Sequence, residues 1–180
     1  MIPIQYYSSV YFITLSIVVL TMIMPLLQYR FPRQYSAATN NRLSIIILFI
    51  TILFIGFRDP WASSIYLGDT GAYTRMFEII TVDKLLESKD YGFDLFMYLC
   101  SKIMTVQWFY VLCAVLYVVL PYLAFRKWFN QRAWIALLVY VTAMSFWPFG
   151  INGLRNGLGA AFFIYGISFF KQPLKMAIWF

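Results

Sequence analysis

Three short motifs carry the residues of this chain that could do chemistry: Arg58-Asp59, Gly68-Asp69-Thr70-Gly71-Ala72-Tyr73, and Asn152-Gly153-Leu154-Arg155-Asn156-Gly157. Each sets a charge at the end of an apolar run. A planar guanidinium there can bind two phosphate oxygens at once. A carboxylate at a helix start can fix a sugar hydroxyl or take its proton. Arg58 and Arg155 are therefore candidate anion contacts and Asp69 a candidate base. Tyr73, one turn beyond Asp69, could stack on a sugar ring. Arg75, Asn152 and Asn156, on the same two segments, are counted with Tyr73 as substrate contacts.

Each of these residues also has a plainer explanation. Arg58 could be a topology flank that snorkels from a helix end. Asp69 could cap the helix that follows by accepting a backbone N–H. Arg155 could be an interfacial anchor, with Gly153-x-x-x-Gly157 serving only close helix packing. A positive residue on the outer side opposes orientation, however, and a charge against a membrane helix is expensive enough to point to function.

The elements that must position these residues are membrane helices. Among 180 residues, 62% are hydrophobic and 21% aromatic, and mean hydropathy is +0.73, far above the roughly 45–50% apolar content of soluble domains. Apolar runs at 7–29, 43–57, 106–125, 134–149 and 154–170 predict five transmembrane helices, and 176–180 reads as the start of a sixth. The fold class is all-α: a polytopic integral membrane protein in one transmembrane domain, 1–180. The chain stops without a polar tail, which predicts a fragment of a longer protein. Run 43–57 is short for a crossing unless its flanks contribute.

All seven acidic residues lie in the polar island 58–94: Asp59, Asp69, Glu78, Asp83, Glu87, Asp90 and Asp94. Eight basic residues and no acid fall in the segments holding Arg30, Arg33, Arg42, Arg126, Lys127, Arg132, Lys171 and Lys175. Under the positive-inside rule those segments are cytoplasmic, which puts the amino terminus and a large loop, 58–106, outside. Within that loop Met76, Phe77, Ile80 and Leu85 predict an amphipathic helix, continued through 94–105 with Lys102 awkwardly deep. Asp83, Lys84, Glu87, Lys89 and Asp90 read as a solvated face. Trp108, Trp128, Trp134 and Trp147 read as interfacial belt residues.

Several classes drop out. There is no histidine and only Cys100 and Cys113, which removes the usual zinc ligands and Ser-His or Cys-His catalysis, so no metal site and no cofactor are expected. The two cysteines read as small buried hydrophobes. The net charge of +7 is scattered, not gathered into a patch for nucleic acid. No phosphate-binding glycine loop appears, which disfavours a nucleotide sugar as direct substrate.

Arg58 closing a span, then GDTGAYTRMF, then YGFDLFMYL before the next span, and later NGLRNGLGAAFFIYG, together resemble the EpsG-like branch of the Wzy-type oligosaccharide polymerases. The resemblance covers essentially this whole chain but only the amino-terminal half of that family. It implies a membrane glycosyltransferase of the bacterial inner membrane that polymerises undecaprenyl-diphosphate-linked repeat units into O-antigen, capsule or exopolysaccharide on the outer face. Its implied partners are the lipid-linked oligosaccharide, membrane lipids, a chain-length regulator and a flippase. Arg58 and Arg155 would meet the diphosphate, Asp69 the hydroxyl and Tyr73 the sugar. Another transferase or ligase using lipid-linked sugars has the same physical needs. A transporter or flippase would instead be expected to hold ionisable groups near the bilayer midplane.

Overall fold

The structure is a computed structural model that describes residues 3–27, 36–82 and 90–179. Every regular element among them is helical. In chain order they are α1 (Tyr7–Leu27), α2 (Ala37–Gly56), α3 (Ser64–Leu67), α4 (Thr70–Ile79), α5 (Tyr91–Ser101), α6 (Val106–Phe129), α7 (Ala133–Thr142), α8 (Phe146–Ile151), α9 (Leu154–Ile167) and α10 (Pro173–Ala177).

Helix α6 is the axis of the fold. Its 24 residues extend about 36 Å at 1.5 Å per residue, and α2, α7 and α9 all pack against it. One buried cluster draws residues from every helix between α1 and α9 except α3, among them Tyr11, Ile47, Tyr73, Met97, Phe109, Leu137, Phe146 and Leu158.

Helix α2 shows how the packing works. Its buried stripe is Asn40, Ser44, Ile47, Thr51, Ile55 and Gly56, whereas Ile45, Ile46, Phe49 and Leu53 are exposed. In hydrocarbon, apolar side chains gain nothing by turning inward, and small or weakly polar residues are what let two backbones approach. Gly56 is such a point, since a Cβ there would lie 3.0 Å from the Val111 Cα of α6.

Several expectations need correction. Helix α2 begins six residues before 43, because Ser36 caps it by accepting from the Thr39 N–H at 3.1 Å. Its 20 residues then reach about 30 Å, a full crossing. Arg42 therefore lies in the helix rather than in a loop, and Arg30 and Arg33 fall outside the described residues. Among the described residues three helical stretches are long and apolar enough to cross a membrane: Ile4–Met24, Ala37–Gly56 and Val106–Thr142. The last holds α6 and, beyond a 3-10 turn at Asn130–Arg132, α7. The run expected at 134–149 is broken into α7 and α8, of 10 and 6 residues, and α9 has 14. None of these three reaches the roughly 20 residues of an independent span. Of the residues expected to begin a sixth span, Met176 and Ala177 close the five-residue α10.

The island differs too. Helix α4 ends at Ile79, and its buried face is Thr70, Tyr73, Thr74 and Phe77, with Met76 exposed. Leu85 lies outside the described residues, as do Asp83, Lys84, Glu87 and Lys89. Lys102 follows the end of α5, exposed, its ammonium 4.8 Å from the Tyr98 ring. Of the four tryptophans only Trp108 and Trp128 are exposed. Trp134 is buried at 2% exposure, and Trp147 packs on Tyr11 with ring centroids 4.4 Å apart. Cys100 and Cys113 are free and buried, and burial pushes the Cys100 thiol up, away from the reactive thiolate.

Candidate active site

Arg58 follows the last turn of α2, but its side chain turns inward and is 0% exposed. Nη1 donates to the carbonyls of Ile55 at 2.8 Å and Gly150 at 3.2 Å. The guanidinium carbon sits 4.0 Å from the Tyr110 ring centroid. Nε and Nη2 are buried with no hydrogen-bond partner among the described residues. Burial draws the pKa of this group down, opposed first by Tyr110; a guanidinium keeps its proton regardless. A buried cation with no described counter-charge is costly, and a cation–π contact offsets only about 2 kcal/mol of that.

Tyr110 passes this anchor on to the GDTGAY segment. Its hydroxyl donates to the Thr70 carbonyl at 2.7 Å and lies 2.8 Å from the Thr74 hydroxyl, which also reaches the Pro60 carbonyl at 2.6 Å. Asp59 stays exposed and accepts from the Trp61 N–H at 2.9 Å, shaping the turn. These bonds fix the residue next to Asp69 rather than Asp69 itself.

The capping role expected of Asp69 is corrected. It occupies the N-cap position at φ −78°, ψ 3°, where its side chain makes no cap bond, and only its carbonyl accepts, from the Tyr73 N–H at 3.0 Å. The extended geometry that aims a capping oxygen back at the helix is missing. The carboxylate is left exposed.

Just before it, Gly68 adopts φ +51°, a conformation that favours glycine. A Cβ there would also overlap the Asn152 carboxamide. The two distant motifs therefore meet at Gly68 and Asn152, next to Asp69 in the chain, and Arg58 holds the Gly150 carbonyl two residues before the second of them.

Arg155 lies in the first turn of α9 and pairs with Asp90, both about half exposed at 46% and 53%. Arg155 is also at the rim of a cavity of about 370 Å³, lined by Phe93 and Phe96 of α5, Leu116 of α6, and Leu158 and Phe162 of α9. Tyr73 is 7% exposed, its ring 5.8 Å from Phe93. It is packed behind Phe93, which lines the cavity, and is not an open stacking platform. Arg75 and Asn156 are exposed, Arg75 on the side of α4 away from its buried stripe.

The structure thus joins Arg58, Gly68 and Asn152 in one contact chain and leaves Asp69 and Arg155 as the exposed charges beside it. Sequence reasoning missed Asp90 as the partner of Arg155, and Tyr110 and Thr74 as the support of α4. The 70, 73, 74, 77 spacing is a helical stripe that could have revealed Thr74; nothing in the sequence marks Asp90. Among the described residues no group of three His, Cys, Asp or Glu side chains could hold a metal.

No curated protein and no solved structure matches this chain. The EpsG family model matches residues 41–180, from early in α2 through α10. The motifs that meet at Gly68 and Asn152 both lie inside that match, and the chain belongs to the EpsG family.

Proposed function

We propose that this protein polymerises undecaprenyl-diphosphate-linked oligosaccharide repeat units on the outer face of the bacterial inner membrane. Family membership over residues 41–180 carries this reading. The three membrane-length helices and the exposed Asp69 carboxylate and half-exposed Arg155 guanidinium on the two segments that meet at Gly68 and Asn152 support it.

In this reading the hydroxyl oxygen of the acceptor repeat unit attacks the anomeric carbon of the donor glycan. The glycosidic C–O bond forms as the bond to the diphosphate oxygen breaks. Asp69 takes the hydroxyl proton, and undecaprenyl diphosphate departs with the electron pair. Arg155 offsets the charge that grows on the departing diphosphate, where a preplaced cation is most effective.

Arg58, sealed under the site, touches no substrate in this arrangement. It holds the Gly150 carbonyl and Tyr110, and so positions the α8–α9 turn and the start of α4. Arg75, Asn152 and Asn156 are the exposed polar groups available to sugar hydroxyls.

Deleting the gene and resolving the surface polysaccharide on a gel tests the reading. Collapse of the long-chain ladder to single repeat units is expected, with rescue by the wild-type gene. Rescue must fail with Asp69→Asn or Arg155→Ala inserted at normal levels. An unchanged ladder after deletion would overturn the polymerase reading, and full rescue by both variants would overturn the site.

A further inference from the structure

The proposed reaction uses the exposed charges but leaves the cavity behind Arg155 without a role. Helix α9 contributes Arg155, Leu158, Gly159 and Phe162 to it, an i, i+3, i+4, i+7 series that lines one helical face over about 10 Å. Phe93 and Phe96 of α5 form the opposite wall and Leu116 of α6 the floor. At the far end Phe162 stacks on Trp179, centroids 5.9 Å apart and planes 23° from parallel. The slot is apolar along its length and has one cation at its mouth.

Two glycines widen it. A Cβ at Gly92 or at Gly159 would meet no atom within 4 Å. Packing does not call for glycine at these places, in contrast to Gly157, where a Cβ would lie 2.6 Å from the Phe149 carbonyl oxygen. Both open positions line the slot and are themselves exposed, so the slot opens to its surroundings along these two residues.

We propose that this slot seats the diphosphate-proximal isoprene units of a polyprenyl diphosphate, with the diphosphate replacing the Asp90 carboxylate on Arg155. This rests on the polymerase reading for the identity of the lipid. A slot of about 370 Å³ walled by α5 and α9 over Leu116 of α6 has room for a few units of one branched chain. The methyl branches of isoprene units fill the widenings at Gly92 and Gly159 and lie on the Phe93, Phe96 and Phe162 rings. A diphosphate offers the guanidinium more acceptor oxygens than Asp90 does. The ion pair at the mouth is half exposed, which makes it weak enough to exchange. Asp90 is then a latch that occupies Arg155 until the lipid arrives.

The test uses the full-length protein in nanodiscs with a photoreactive undecaprenyl diphosphate analogue, reading the labelled peptides by mass spectrometry. Labelling is expected on α5 and α9, displaced by undecaprenyl diphosphate but not by phosphatidylglycerol or inorganic diphosphate. Gly159→Leu fills the slot where the backbone tolerates it, and Arg155→Ala removes the cation; each should lower labelling about tenfold or more, the loss expected of a charge-assisted contact or a blocked pocket. Asp90→Asn should raise it. Equal competition by phosphatidylglycerol would show a bulk-lipid surface and overturn the proposal. So would labelling confined to other helices, as when another segment covers the slot, or labelling unaffected by Gly159→Leu. Failure here with an intact polymerisation ladder sinks only the slot. Specific labelling in a protein whose gene deletion leaves the ladder unchanged sinks only the polymerase reading.

Discussion

Arg58 and Arg155 look alike in the sequence, each a lone cation at the end of an apolar run, yet the fold treats them in opposite ways. Arg58 is sealed over Tyr110 with two donors unpaired, while Arg155 stands half exposed with Asp90 across the mouth of an apolar slot. A cation kept dry without a counter-charge works against stability. A surface ion pair has almost no effect on it, about 0–1 kcal/mol. The difference teaches that Arg58 shapes the site from beneath while Arg155 is free to meet an anion, and the two can be separated by experiment.

The largest expected effect is at Arg58. Arg58→Ala opens a cavity between α2, α6 and α8 and strands two carbonyls, and should destabilise by roughly 2–5 kcal/mol, as large-to-small core substitutions do. Arg58→Met keeps most of the volume, so its stability in thermal unfolding should stay within about 1.5 kcal/mol of wild type, with polymer still lost. If Met preserves polymer length, the charge has no role.

The next effect belongs to the α8–α9 turn. Gly157→Ala drives a Cβ onto the Phe149 carbonyl, an immovable backbone atom, and should cost about 1–3 kcal/mol by overpacking. Gly159→Ala, two residues on, meets no neighbour and should raise stability by about 0.5–1 kcal/mol, the helix cost of glycine relative to alanine. Equal melting shifts for the pair would break the contrast between a packed face and an open one.

The smallest stability effects fall on the exposed charges. Asp69→Asn should change stability by less than about 0.5 kcal/mol, because its carboxylate makes no cap bond, yet abolish the polymer ladder. Asp90→Asn should shift stability by no more than about 1 kcal/mol. A large melting shift for Asp69→Asn would return that residue to a purely structural role.

Much of this was legible in the residues. The apolar runs at 7–29, 43–57 and 106–125 marked the helices of membrane length, and the three motifs marked segments that come together through Gly68, Asn152 and Gly150. What escaped has identifiable physical causes. Ser36 extended α2 through a single side-chain bond that hydropathy cannot register. Thr70 and Thr74 are polar yet buried: the Thr74 hydroxyl bonds to the Thr70 and Pro60 carbonyls and lies beside the Tyr110 hydroxyl, while the Thr70 hydroxyl has no hydrogen-bond partner among the described residues. Trp134 looked like an interfacial anchor because it opens an apolar run, but α7 folds back on α6 and buries it. Arg58 gave no sign of burial, because which way a side chain turns at a helix end depends on neighbours distant in sequence, here Tyr110 and Gly150.

The most direct test reconstitutes the full-length protein with undecaprenyl-diphosphate-linked repeat units and follows chain growth together with release of undecaprenyl diphosphate. Wild type should elongate chains and release one lipid diphosphate per unit added, whereas Asp69→Asn and Arg155→Ala, equally folded, should do neither. Elongation at the wild-type rate in either variant would contradict the account.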